Sequence, residues 1–472
     1  MNATLQAPSH PLKGIVNPPS SKNYTTRVIL ASCLAKGTSR VNFPAVQDDA
    51  VALVNCCRKL GATITSYDHE GQPVAFQVEN ATRINHLVIE GFGNTPAQPE
   101  GNVIDPDNAG AVLRLLLGTV CLCPSPVRVE TAHYPHSLGK RPNIDLVQAL
   151  TQLGVTVTTP NPEGTLPLVM SGGQAWRESL LAKGPRQLTL SGSISSQYLS
   201  SLLYLCPLLP VPVEITITNG LKSKPLIRTT LEVLKEAGVT VEARADLEFF
   251  RTTPQSYRPR TWTVGGDWPG VCSVLAAAAV VPGSDITVQR MMADEQGEQR
   301  SVEFYRAMGC QIEWNPANPE ASLRLIAPEK LLAAEIDGDK ATDGVLAMMS
   351  AAACAQGVSV FSGINNLQYK ECDRVREPIE EMKSIFANQG SAAWEPNEQP
   401  EIIRVQGSPK PFETSAPVTV DGRGDHRVIM LLSVMALHSK TPVTITGAHH
   451  VAKSFPRWFA TLEQLGVKVT FE

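Results

Sequence analysis

The sequence predicts an α/β protein of two domains, built from six βαβαββ-type repeats with three in each domain. Three observations lead there. First, one motif recurs six times: an amphipathic helix ends in glycine and an alternating strand follows. The instances are CCRKLGATITSY, VQALTQLGVTVTT, LEVLKEAGVTVEA, FYRAMGCQIEW, MKSIFANQGSAAWE and ATLEQLGVKVTFE. Second, upstream of most of these an apolar helix runs through a Gly/Pro/Ser break into another strand, as in VILASCLAKGTSRVNF or VLAAAAVVPGSDITVQR. Third, the repeat glycines fall roughly 70–95 residues apart, too far for a solenoid unit and right for a βαβ-type module.

Each element follows from local chemistry. Gly61, Gly154, Gly238, Gly309, Gly390 and Gly466 suit the C-terminal cap, where left-handed backbone is required. Gly37 is expected to close the first helix in the same way. The upstream helices are apolar on nearly every face, which places them inside a domain. The Pro- and Arg-rich stretch TTPQSYRPRTWTVG, near residues 252–265, marks the domain break. The opening PLKGIVNPP reads as a strand that either domain could use. We assign residues 20–264 to one domain, and residues 1–19 with 265–472 to the other.

Composition narrows the function classes. The chain has 472 residues, 43% hydrophobic and 18% charged, with a formal net charge of −4. That balance gives no bulk electrostatic reason to bind nucleic acid or a membrane surface. No apolar run approaches the ~20 residues of a membrane span. MNATLQAPSHPLKG lacks the basic start and apolar stretch of a signal peptide, so the expected compartment is the cytoplasm. The ten cysteines sit mostly in apolar runs without zinc or CxxC spacing and read as reduced core residues.

The chemistry gathers at helix starts. Asp48, Asp49, Ser191 and Asp267 read there as ordinary caps or first-turn acids. Lys22, Arg27, Arg141, Lys370, Arg374, Arg427 and Lys453 do not. A cation in a first turn opposes the helix dipole by a few tenths to ~1 kcal/mol. Seven of them across five helix starts point to a function instead. Free N–H groups at helix starts already favour anions, and added Lys and Arg make a site for phosphate and carboxylate groups. Gly110 in DNAGAVLR lets backbone approach a ligand closely. There is no GxxxxGK[ST] loop and no GxGxxG after a strand, so ATP and NAD are unsupported and no cofactor is expected. No His/Cys/Glu set has metal spacing. His133, His136, His449 and His450 fall in expected loops.

The motifs SSKNYTTR, NAG…R, KRP, SISSQ, SKP, ATDG, YKECDR, GDHR and AKSFP occur in an order that resembles the 5-enolpyruvylshikimate-3-phosphate synthases. The resemblance runs from about residue 10 to the C-terminus. It implies the two-domain inside-out α/β barrel of the enolpyruvyl transferases and, by the family's habit, a monomer. It implies transfer of the enolpyruvyl group of phosphoenolpyruvate to the 5-hydroxyl of shikimate 3-phosphate, with release of phosphate. Both substrates are anions.

By matching positions, the resemblance assigns Lys22, Asn23, Arg27, Ser195, Ser196, Gln197, Ser223, Asp343, Asn366 and Lys370 to shikimate 3-phosphate. It assigns Lys22, Gly110, Arg141, Gln197, Arg374, Arg427 and Lys453 to phosphoenolpyruvate. Asp343 is the implied proton acceptor, with Glu371, His426 and Lys22 as the other catalytic groups. Residues 20–264 then carry the shikimate-phosphate side. The other domain carries the general base and part of the phosphoenolpyruvate site. Asn23, Ala111, Leu115 and Leu226 depart from the family's usual residues, all on the acceptor side. Two alternatives therefore stay open: an enolpyruvyl transferase with another acceptor such as a nucleotide, or a non-catalytic anion-binding paralogue.

Overall fold

A computed structural model describes residues 1–316, 322–398 and 401–472. The chain divides into two compact units: Ser20–Val264, the inserted unit, and Met1–Pro19 with Gly265–Glu472, the split unit. Among the described residues the named strands form six four-stranded sheets, three in each unit. All six share one pattern: a parallel pair followed by two antiparallel pairings.

The register explains why the first residues belong with the last. Ala3–Gln6 lies antiparallel between Val443–Thr446 and Lys468–Phe471, pairing Leu5 with Val443 and with Val469. Lys13–Val16 runs parallel to Asp285–Val288. The opening segment completes two sheets of the split unit, and its alternating apolar positions Ala3, Leu5 and Val16 enter that unit's core.

Each repeat contributes one wholly or largely buried helix. In the inserted unit these are Lys22–Leu34, Gly110–Val120 and Ser196–Leu205. In the split unit they are Trp268–Ala279, Val345–Ala353 and His426–Ala436. Every residue of Trp268–Ala279 and of His426–Ala436 is buried. Packing at the centre is close enough for side chains to serve neighbouring backbones. Ser201 Oγ accepts from Gly118 N at 3.1 Å, and a β-carbon on Gly118 would lie 2.9 Å from the Ser201 carbonyl. The outer helices are amphipathic: Asp48–Lys59, Ile144–Gln152, Lys224–Glu236, Ser301–Ala307, Arg376–Phe386 and Trp458–Gln464. A further helix, Gly173–Lys183, lies outside the repeat motif.

Two expected caps are corrected. The first helix ends at Leu34, and Gly37 lies inside the strand Lys36–Asn42 with φ +123°. The strand begins directly after the Ala35 cap, leaving no room for a separate turn. In the fifth repeat the helix ends at Phe386, and Ala387 and Asn388 adopt the left-handed backbone instead of Gly390. Gly390 serves close packing: a β-carbon there would lie 2.6 Å from the Phe386 ring and 2.8 Å from the Gln406 carbonyl. The other five repeat glycines have φ between +80° and +100°. All ten cysteines are unpaired. Among the described residues no helix is long and apolar enough to cross a membrane.

Candidate active site

In the split unit five segments bring charged side chains together: the helix start at Gly297–Arg300, the turn Thr342–Gly344, the stretch after Asn365–Tyr369, the start of His426–Ala436, and the end of Ala448–Lys453. Arg374 is the hub and is almost wholly buried. It donates to Asp425 through Nε at 2.8 Å and Nη2 at 3.2 Å, to Glu371 at 2.8 Å, and to Asp343 at 3.2 Å. Lys370 Nζ lies 3.3 Å from Asp343 Oδ1, and Lys453 Nζ lies 2.6 Å from Glu371 Oε1. Asn366 donates to Thr342 Oγ1, next to Asp343 in the chain, at 3.2 Å.

These contacts set the protonation states. Burial pushes the Asp343 carboxyl up, but Lys370, Arg374 and Arg427 outweigh it and hold it well below the usual carboxylate range. Burial likewise works against an ionised Glu371, and Arg374, Lys453 and His426 overcome it. Burial alone would lower Arg374, yet Asp425, Glu371 and Asp343 raise it above an ordinary arginine.

Arg427 differs. Its guanidinium is buried, its nearest carboxylate is Asp267 Oδ2 at 3.9 Å, and Nε and Nη1 have no hydrogen-bond partner among the described residues. Buried donors left without a hydrogen bond are costly, so they point to an anionic ligand. His426 is buried beside it, with Nδ1 3.9 Å from Asp425.

In the inserted unit the groups are mostly cations and neutral donors. Lys22 opens the first helix, capped by Ser21, and pairs with Asp49 at 3.2 Å. Arg27 is buried in the same helix. It donates to Thr230 Oγ1 at 2.9 Å, to the Asn23 carbonyl at 3.0 Å and to the Leu226 carbonyl at 3.3 Å. Burial pulls its pKa down, against Tyr204 and Tyr24. The guanidinium thereby ties the Asn23 turn to the helix Lys224–Glu236, whose N-cap Ser223 is left-handed with φ +51°. Ser195 caps Ser196–Leu205 by accepting from Gln197 N at 3.3 Å. Arg141 packs over Gly110: a β-carbon built there would lie 2.6 Å from Arg141 Nη1.

Three residues join these clusters that the helix-start reading did not single out. Asp425 caps His426–Ala436 through Arg427 N at 2.8 Å and anchors Arg374. Glu298 accepts from Asp343 N at 3.0 Å. Arg114 donates to Gln197 Oε1 at 2.8 Å. Asp425 stands directly before a helix carrying His426 and Arg427, which is a usable signal. Glu298 reads only as a first-turn acid.

A family model described as EPSP synthase (3-phosphoshikimate 1-carboxyvinyltransferase) matches residues 6–462. The chain belongs to the EPSP synthase family. A 3-phosphoshikimate 1-carboxyvinyltransferase from Deinococcus radiodurans is 36% identical over 466 residues, covering 98% of this chain and 96% of that one. One from Methanocella arvoryzae is 32% identical, covering 97% of each. Among solved structures, an EPSP synthase from Acinetobacter baumannii aligns over 100% of both chains with a TM-score of 0.77 at 21% identity. The enolpyruvyl transferase NikO from Streptomyces tendae aligns over 99% of this chain and 98% of its own, with a TM-score of 0.67 at 14% identity. The fold of this EPSP synthase family member is thus that of the enolpyruvyl transferases.

Proposed function

We propose that the chain transfers the enolpyruvyl group of phosphoenolpyruvate to the 5-hydroxyl of shikimate 3-phosphate and releases phosphate. The observation that carries this reading is the cluster around Asp343. A carboxylate held by Lys370 and Arg374 stands beside a buried Arg427 whose Nε and Nη1 lack partners among the described residues.

Asp343 accepts the proton of the attacking hydroxyl as its oxygen bonds to C2. Glu371 delivers a proton to C3. The tetrahedral intermediate then returns a C3 proton to Glu371 and breaks its C2–O bond to phosphate, which leaves with the electron pair. Lys22, Arg141 and Lys453 stabilise the leaving phosphate, and Arg374 and Arg427 grip the substrate carboxylate as planar forks. Gly110 leaves room for that anion under Arg141, and for inhibitors that mimic it, such as glyphosate. Lys22, Asn23, Ser195, Ser196, Gln197 and Ser223 hold shikimate 3-phosphate, with Asn366 and Lys370, and Gln197 also contacts phosphoenolpyruvate. Arg27, which also donates to the Asn23 carbonyl, belongs to the same set.

The free protein holds both carboxylates ionised against cations. When substrate anions engage Arg374 and Lys453, Asp343 and Glu371 lose part of that hold and become more basic. Proton transfer is therefore enabled by substrate binding. The ten unpaired cysteines support a reducing compartment, the cytoplasm.

A phosphate-release assay with shikimate 3-phosphate and phosphoenolpyruvate tests the reading. Turnover dependent on both substrates is expected. No release with this acceptor, together with turnover on another alcohol, would overturn it.

A further inference from the structure

Arg114 and Gln197 lie on two packed helices of the inserted unit, Gly110–Val120 and Ser196–Leu205. Arg114 Nη1 donates to Gln197 Oε1 at 2.8 Å and reaches Ser195 Oγ at 3.5 Å. Its guanidinium carbon lies 5.2 Å from the centre of the Tyr198 ring. Arginine has five donors and no acceptor. A glutamine amide beside it must therefore present oxygen, since the flipped amide would set donor against donor. The Gln197 NH2 then faces away from Arg114, and no described residue accepts from it.

The Tyr198 side chain, through its ring face and its hydroxyl, an amide oxygen and a serine hydroxyl surround this guanidinium; among the described residues no carboxylate pairs with it. Arg141 lies near enough to oppose its charge. With its amide fixed, Gln197 becomes a neutral donor of one set orientation beside two cations.

We propose that Arg114 is a positioning residue: it locks the Gln197 amide with its NH2 outward, so that Gln197 donates to an oxyanion of phosphoenolpyruvate. This rests on the reading above that Gln197 and Arg141 bind that substrate. Arg114 acts through Gln197 and touches no reacting atom. A neutral side chain at 114 no longer opposes the flipped amide, whose oxygen can then turn toward the anion.

Steady-state kinetics on Arg114→Met, Arg114→Lys, Gln197→Ala and the Met/Ala double variant test this. In Arg114→Met the KM for phosphoenolpyruvate is expected to rise about tenfold, with kcat within about twofold of the parent. Arg114→Lys, which still offers a donor to Oε1, should stay within about threefold in KM. In the Gln197→Ala background, Arg114→Met should add nothing, because its effect passes through the missing amide. A fall in kcat at unchanged KM, or a penalty that adds in full to that of Gln197→Ala, would overturn the proposal. If Arg114→Met does not fold, Arg114→Lys with and without Gln197→Ala carries the same test of additivity. Failure of the parent protein to turn over would refute the functional reading itself. Parent turnover with additive penalties refutes only the role of Arg114.

Discussion

Arg374 in the split unit and Arg27 and Arg114 in the inserted unit are held in opposite ways, whereas Lys22 of the inserted unit pairs with the carboxylate of Asp49. In the split unit, Arg374 is met by three carboxylates within 3.2 Å, and Lys370 and Lys453 each have one. In the inserted unit, Arg27 is surrounded by a hydroxyl and two carbonyls, and Arg114 by an amide oxygen and a ring face. A cation met by carboxylates holds them ionised, as Arg374 does for Glu371 and Asp343, whereas a cation held by neutral dipoles leaves its charge uncompensated by its neighbours. Arg427 is the exception in the split unit: its Nε and Nη1 have no hydrogen-bond partner among the described residues, which is why the proposed function gives it an anion.

Removing the base should have the largest effect. Asp343→Ala is expected to lower kcat about 10³-fold while both substrates still bind, as read by rapid-quench kinetics and calorimetric titration. Normal turnover would remove Asp343 from the proposed mechanism.

The contrast itself is tested by truncating one arginine in each unit. Arg374→Met leaves the fully buried Asp425 without its cation and should cost about 3–5 kcal/mol in denaturant unfolding. Arg27→Met strands only neutral acceptors and should cost about 1–3 kcal/mol. Equal costs would mean that the carboxylate web does not distinguish the two units.

A smaller effect is expected at Gly110. The added methyl of Gly110→Ala meets the far end of a flexible side chain, Arg141 Nη1, which can move aside. The fold should survive, with the KM for phosphoenolpyruvate raised about tenfold, or about 1.4 kcal/mol. Glyphosate inhibition should weaken in parallel. Unchanged inhibition would argue against this geometry.

The smallest effect concerns pH. Burial, and then the nearby Asp343, push the Glu298 carboxyl up to about 7 from an ordinary 4.5. An acid raised on folding contributes stability below its unfolded pKa, and that contribution is lost as pH rises through the folded value. Glu298→Gln keeps an oxygen for Asp343 N but cannot ionise. It should match or fall below the parent at pH 5 and exceed it in Tm by about 2–4 °C at pH 8. A difference independent of pH would show that Glu298 does not titrate in this range.

Much of the fold was legible because its signals are local. Helix periodicity, glycine caps and apolar runs revealed six repeats and twelve of their helices, while Gly173–Lys183 followed no repeat and escaped. Gly390 misled because a glycine required for contact with the Phe386 ring looks, in sequence, like a cap. At the site, Lys22 and Arg427 stood out because they lie in a helix first turn against its dipole; Arg374 was expected to do the same but precedes the helix Arg376–Phe386, whose N-cap is Val375. Glu298 and Arg114 did not stand out, because an acid in a first turn and an arginine within a helix oppose no local rule.

By itself the sequence determined how many modules the chain has, which helices are buried and which segments carry the cations. Each of these depends on neighbours within a few turns of chain. Only the tertiary structure decided which of those cations are saturated. Asp425 reaches Arg374 across 51 residues, Glu298 reaches Asp343 across 45, and Arg114 reaches Gln197 across 83. Hydrogen-bond partners depend on which elements the fold packs together, and no local pattern encodes that choice.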